Sequence, residues 1–254
     1  MFYTRSGFSR IGKSRGIIKE LSLYFQDIKT LKSYDTLIVH NKHMKSKIVN
    51  MGLNNLNICN LEIFDYLVPL DNFIKEENFV YNKSVAIAGN LSFEKAGYCY
   101  NLPSNVDFRL YGVNLDLKLF KHRGNIKYFG SFSPEKIYKV KACFGLVWDG
   151  PFIDKCGGLY GNYLKYNDPH KVSLYIAAGL PVIVWSEAAI SDFIVQNKIG
   201  FKISSLNDLY FKLNSISEED YKQMKNNVLE ISKKIKRGFY TKRVLTNAKI
   251  INKH

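Results

Sequence analysis

Between Tyr166 and Trp185 the chain reads Tyr-Asn-Asp-Pro-His-Lys-Val-Ser-Leu-Tyr-Ile-Ala-Ala-Gly-Leu-Pro-Val-Ile-Val-Trp, and both ends of a short helix are written into it. Asp168 suits the N-cap, Pro169 suits the first helical position, and Gly179 followed by Pro181 marks the stop. A helix N-terminus offers unpaired N–H groups and a partial positive charge, to which His170, Lys171 and Ser173 add donors. The chemistry that fits is capture of a compact anion, a diphosphate being the natural guest. The alternative, that His170 and Lys171 are only solvated first-turn residues, sits poorly with a Lys placed where the helix dipole disfavours it.

Three further loops carry chemistry-bearing residues. Gly89-Asn90-Leu91 follows the apolar run Val85–Ala88, and Lys95 comes one turn later. A glycine there lets the backbone approach a ligand closely. Gly130-Ser131-Phe132 follows Ile126–Phe129; it reads either as a turn that offers backbone groups and a ring to a planar base, or as an ordinary capped loop. Asp149, in Trp148-Asp149-Gly150, either binds sugar hydroxyls or orders its own loop. His40 and His43 are three residues apart, but no Cys, Asp or Glu completes a ligand set beside them, so no metal is expected.

The elements that must position these loops alternate regularly. Strands are expected at Ser84–Ala88, Phe108–Tyr111, Ile126–Phe129, Phe144–Trp148, Pro181–Trp185 and Gly200–Ile203, with helices between most of them. That alternation predicts a doubly wound parallel sheet with ligands at the carboxyl ends of its strands. Ahead of it, Thr36–His40, a helix over Lys42–Met51 and Asn57–Leu61 form the tail of another α/β unit, preceded by an amphipathic helix over 14–33. One or two parallel strands cannot bury themselves, so this unit is expected to be an incomplete domain. Pro69–Asn72 and Lys75–Asn78 read as a linker, and 217–251 as basic helix broken near Gly238. The expected division is 1–74, 75–216 and 217–254.

At 254 residues, 46% apolar and 23% charged, the chain can build a sizeable core. No stretch approaches the roughly 18 apolar residues that span a bilayer, and Met1–Gly7 lacks the apolar core of a signal peptide, so a cytoplasmic location is expected. Cys59, Cys99, Cys143 and Cys156 are scattered and read as reduced thiols. Of the +15 net charge, 13 lie within 1–50 and 217–254, leaving the middle nearly neutral. The basic ends suit peripheral contact with the inner face of a membrane and equally suit a solvated surface. The first clean βα loop lacks Gly-x-Gly-x-x-Gly, which disfavours a dinucleotide oxidoreductase. A nucleic-acid binder is motivated only by the basic ends.

The run Gly145–Gly150, then Gly158–Gly161, then Tyr163–Trp185 with its Pro-His-Lys-x-Ser-Leu-Tyr core, resembles the bacterial galactofuranosyltransferase and glucosyltransferase 3-like family. Gly89–Leu91 and Ile190–Gly200 fit it too. The resemblance implies a GT-B architecture: a doubly wound Rossmann-like C-terminal domain that holds the nucleotide diphosphate, facing a Rossmann-like N-terminal domain of which this chain is expected to lack about half. It implies UDP-sugar binding by Asn90, Lys95, Gly130, Ser131, Phe132, Asp149, Pro169, His170, Lys171, Val172, Ser173 and Leu174, without metal or other cofactor. The implied reaction moves a hexosyl group, galactofuranose or glucose, to a hydroxyl of a glycan, glycoprotein or lipid-linked acceptor; an inactive nucleotide-sugar-binding subunit is the alternative. Homo-oligomerisation stays open, and no nucleic-acid partner is expected. No residue is a convincing catalytic base, His40 being the best local candidate.

Overall fold

The computed structural model describes residues 28–68, 81–120 and 124–250. Residues 28–32 are helical, as expected for the part of 14–33 that falls within this range; 14–27 and the linker over 69–78 lie outside the described residues. Next come β1 (Thr36–Val39), α1 (Lys42–Asn50) and β2 (Asn57–Asn60), with β1 and β2 paired parallel from Thr36↔Asn57 to Val39↔Asn60. Strand alternation divides β1 between two cores: Leu37 and Val39 pack with Met44 and Ile48 of α1, whereas Ile38 faces the larger core of the molecule.

That larger core surrounds six parallel strands. Its elements run β3 (Val85–Asn90), α2 (Phe93–Ala96), β4 (Phe108–Val113), β5 (Ile126–Tyr128), β6 (Phe144–Val147), α3 (Gly158–Tyr163), α4 (His170–Ala177), β7 (Val182–Trp185), α5 (Ser191–Gln196) and β8 (Gly200–Ile203). The spatial order is β5-β4-β3-β6-β7-β8, the order of a doubly wound Rossmann-like sheet. Each strand lies within two residues of its expected bounds, because buried apolar runs bounded by Gly, Pro and Asn are strong local signals.

The helix start is corrected by one position. Pro169, extended at φ −71° and ψ 138°, takes the N-cap position of α4, and α4 begins at His170. Asp168 does not cap: its carboxyl is buried and hydrogen-bonded to Asn41.

A glycine seats α4 on the sheet. A Cβ at Gly145 would overlap the Tyr175 ring, so only glycine lets α4 approach β6 this closely. β3 pairs with β6 only through Val85–Phe144 and Ala86–Gly145, after which the strands splay. The Tyr175 hydroxyl fills the gap, accepting from the Ala88 N–H at 2.7 Å and donating to the Leu146 carbonyl at 3.2 Å.

Three helices close the chain: α6 (Leu209–Asn214), α7 (Glu218–Lys236) and α8 (Phe239–Asn247). Ser217 and Asp220 form a capping box that starts α7, and Gly238, at φ 72°, breaks it from α8. Asp65 caps α8 from the N-terminal side, accepting from the N–H groups of Tyr240 at 3.2 Å and Thr241 at 2.6 Å. The Tyr66 N–H donates to the Ile235 carbonyl at 3.1 Å, and Arg243 pairs with Glu62 at 2.8 Å. The closing helices therefore return to the β1–β2 unit.

Tyr175→Phe leaves the buried Ala88 N–H without its acceptor. Urea unfolding should show a loss of about 1–3 kcal/mol, and an unchanged midpoint would rule out the hydroxyl bridge as a stabilising contact.

Candidate functional site

The sheet order reverses between β3 and β6, and their splay opens a crevice at the carboxyl ends. Gly89 and Asn90 end β3 on one side and are exposed; Trp148 and Asp149 follow β6 on the other and are buried. The first turn of α4 overlooks this opening and contains no acidic residue. Lys171 reaches from it to Asp149 Oδ1 at 2.7 Å and to the Trp148 carbonyl at 3.3 Å. The Lys171 and Asp149 side chains are only 13% and 7% exposed, so this pair is largely desolvated. Lys95 lies close enough to feel both charges: burial lowers its pKa, Asp149 raises it and Lys171 lowers it again. Its backbone carbonyl accepts from the Gly150 N–H at 2.7 Å, tying the β3 and β6 loops together. Lys171 is paired with Asp149 at a helix N-terminus and Lys95 stands as a second cation within electrostatic reach, which favours an anion there.

Behind this turn runs a polar seam with the β1–β2 unit. The Asn41 amide donates to Asp168 Oδ1 at 2.7 Å and to the Tyr166 carbonyl at 3.0 Å, while its oxygen caps α1 through the N–H groups of His43 and Met44. The Asp168 N–H donates to His40 Nδ1 at 3.1 Å, which puts the neutral ring's proton on Nε2. Ser173 donates to the Phe64 carbonyl at 2.7 Å, and the Phe64 ring stacks on His170 at 4.1 Å. Burial holds His40 down at about 4, with His170 lowering it further, and burial lowers His170 also. Burial raises Asp168 to about 8, the Asn41 hydrogen bond opposing it. The polar seam is therefore built from neutral groups at pH 7, and the charge of the crevice belongs to Lys95, Lys171 and Asp149.

Asp149 and Lys171 touch, Lys95 joins them electrostatically, and Asn90 lies on the facing strand end. Asn90 Oδ1 accepts from the Ser92 N–H and the Asn114 amide, which orders the β3 loop. Gly130, Ser131 and Phe132 follow β5, two strands out from β3; the Gly130 carbonyl accepts from the Gly112 N–H, and Phe132 packs edge-on to Tyr111 at 5.9 Å. Val172 and Ser173 are fully buried and Leu174 is partly so, and the Val172 N–H already donates to the Pro169 carbonyl at 3.0 Å, so the side chains and N–H groups nearest the opening are those of His170 and Lys171. His40 is 6% exposed and engaged at Nδ1, so it positions Asp168 and is closed to solvent as a base. Among the described residues, no group of three His, Cys, Asp or Glu is placed to hold a metal. Asn41 and Phe64 were missed, because partners more than a hundred residues away leave no local signal.

The family described as glucosyltransferase 3-like, C-terminal domain, matches residues 85–248. The chain belongs to this family. A relative within reach of the glucosyltransferase 3-like chain is the beta-1,6-galactofuranosyltransferase WbbI of Escherichia coli K12, 41% identical over 220 residues, covering 85% of this chain and 63% of the relative. The chain thus spans less than two thirds of that enzyme's length. Among solved structures, sucrose-phosphate synthase from Thermosynechococcus elongatus superposes with a TM-score of 0.63 at 11% identity, covering 98% of this chain and 67% of that one. Anabaena Alr3699/HepE, solved with UDP and glucose, gives 0.57 at 12% identity over 91% of this chain and 67% of its own. At these identities the two structures speak for the fold, which is of the GT-B type.

Within the seam, Asp168 and the two lowered histidines, His40 and His170, act in opposite directions on stability. Folded Asp168 keeps its proton up to about 8, whereas the unfolded carboxyl, near 3.8, has lost it, so stability falls as pH rises through that window. His40, at about 4 when folded against 6.5 unfolded, loses stability as pH falls through its own window. Between pH 6.5 and 8 only the Asp168 contribution remains. Urea midpoints should decline over that interval in the parent and stay flatter in Asp168→Asn; parallel profiles would show that Asp168 ionises normally in the folded chain.

Proposed function

We propose that this chain binds a UDP-sugar and serves a hexosyltransferase, moving galactofuranose or glucose to a hydroxyl of a cell-surface glycan or glycoprotein acceptor. The observation that carries this reading is Lys171, held by Asp149 at the N-terminus of α4 over the β3/β6 crevice. The 41% identity to a galactofuranosyltransferase and the likeness to a fold solved with UDP and glucose support the substrate class. We assign the diphosphate to the first-turn N–H groups of α4 with Lys171 and Lys95, the β3 end at Asn90 alongside, and the base to the loop Gly130–Phe132. Asp149 then serves as the holder of Lys171. The division 1–74, 75–216 and 217–254 is part of the same proposal.

Transfer at the anomeric carbon breaks the bond to the diphosphate oxygen, and negative charge gathers on the departing UDP. Lys171, Lys95 and the dipole of α4 oppose that charge, and fixed donors in a water-poor site are worth more than in bulk water. This assigns the stabilisation of the leaving group to the protein's own cations, with no metal ion. Inversion needs a base at the acceptor hydroxyl, a role no described residue fills. A binding subunit of a larger transferase is the second reading.

Calorimetry with UDP tests the assignment. Lys171→Ala should weaken binding by about 1–3 kcal/mol, the range for a hydrogen bond to a charged group. Lys171→Gln paired with Asp149→Asn keeps a neutral hydrogen-bonded pair and guards against loss of the fold. Parent-like affinity in both would remove the diphosphate from this helix, and UDP binding without transfer to any acceptor would favour the subunit reading.

A further inference from the structure

The sequence through the turn between α7 and α8 is basic. From Ile231 to His254 the sequence has eight Lys or Arg and no Asp or Glu. Lys233, Lys234, Arg237 and Lys242 are exposed there. Lys233 is tied to Glu230 at 2.6 Å and Arg243 to Glu62 at 2.8 Å, whereas Lys234, Arg237 and Lys242 face solvent. Two apolar side chains stand among these cations: Phe239 at 42% exposure and Leu67 at 73%. They flank Gly238, where a Cβ would lie 3.7 Å from Leu67 Cδ2. Lys234 Nζ is 5.7 Å and the Arg243 guanidinium 5.4 Å from the centre of the Phe239 ring. Lys242, three residues on from Phe239, shares its helix face.

We propose that this turn is a docking surface for an anionic bilayer, with Phe239 and Leu67 entering the headgroup layer and Lys234, Arg237 and Lys242 meeting lipid phosphates. It goes beyond the transferase reading and does not rest on it. Exposed apolar tips on a basic segment, with Lys234 and Arg243 beside the Phe239 ring, match an interface that is apolar inside and negative outside. A symmetric contact with a second copy would set this patch against itself, like charge against like. A nucleic acid would use the cations but offers Leu67 no apolar layer. The backbone here is fixed in advance, by Asp65 at the start of α8 and by Tyr66 at the end of α7, so little ordering is lost on docking.

The full chain is sedimented with phosphatidylcholine vesicles and with vesicles containing phosphatidylglycerol, at low and high salt. Each cation near an anionic leaflet contributes about 1 kcal/mol, roughly fivefold. Lys234→Gln, Arg237→Gln and Lys242→Gln together should therefore weaken binding on the order of a hundredfold. Leu67→Ser with Phe239→Ser should remove the binding that survives high salt. Circular dichroism and urea unfolding establish that both variants remain folded. Equal recovery on the two vesicle types, or a triple variant that binds like the parent, overturns the proposal. So does a triple variant that dissociates an oligomer without vesicles, or one that loses binding to a nucleic-acid duplex where vesicles bind neither protein.

Discussion

The Tyr175 ring fills the space that any side chain at position 145 would need, and that contact sets how closely α4 lies on the sheet. The hydroxyl of the same residue takes the Ala88 N–H that β6 leaves unpaired as it splays from β3. The opening of the crevice and the seating of the helix above it are thus one packing solution. Had α4 stood further out, Lys171 would not reach Asp149, and the first-turn N–H groups would point into bulk solvent. Close-packed interiors transmit such displacements instead of absorbing them.

The charge at the crevice follows from the same geometry. Removing Lys171 and Asp149 from water costs several kcal/mol per ion unless each finds the other with good geometry, and at 2.7 Å they do. An arriving anion meets Lys171 already paired with Asp149, so it adds a second negative partner to a lysine whose desolvation the carboxylate offsets. The seam beside it adds no charge at neutral pH: Asp168 is protonated and His40 is neutral, both through burial. The N-terminal unit therefore supports the helix without competing with the anion.

Much of this was legible in the sequence, for reasons that differ by element. The strands of the large sheet are apolar runs with marked ends, and the helical stretch from 217 with its break near Gly238 is a local signal, so their positions are legible directly. The start of α4 lies one residue from where the sequence predicts it, because Asp168 has the chemistry of a cap but a stronger claim from Asn41, 127 residues away in sequence. Asp149 reads two ways in the sequence because its partner, Lys171, is fixed only once β6 and α4 pack. Phe64 carried no signal at all, being one aromatic residue among many until the chain folds it onto His170.

The two electropositive regions differ in shape, and shape decides what each can hold. At the crevice Lys171 is recessed and paired with Asp149, so a small anion that enters exchanges water for N–H donors and gains in a low local dielectric. At the α7–α8 turn the cations are exposed and screened over about a Debye length, roughly 8–10 Å at ordinary salt, and a single small anion gains little there. An extended surface of fixed negative charge engages several cations at once and buries Phe239 and Leu67 besides. Because Asp65 and Tyr66 anchor the turn to the β1–β2 unit, a surface held there would fix the orientation of that unit first, with the crevice behind the seam following it.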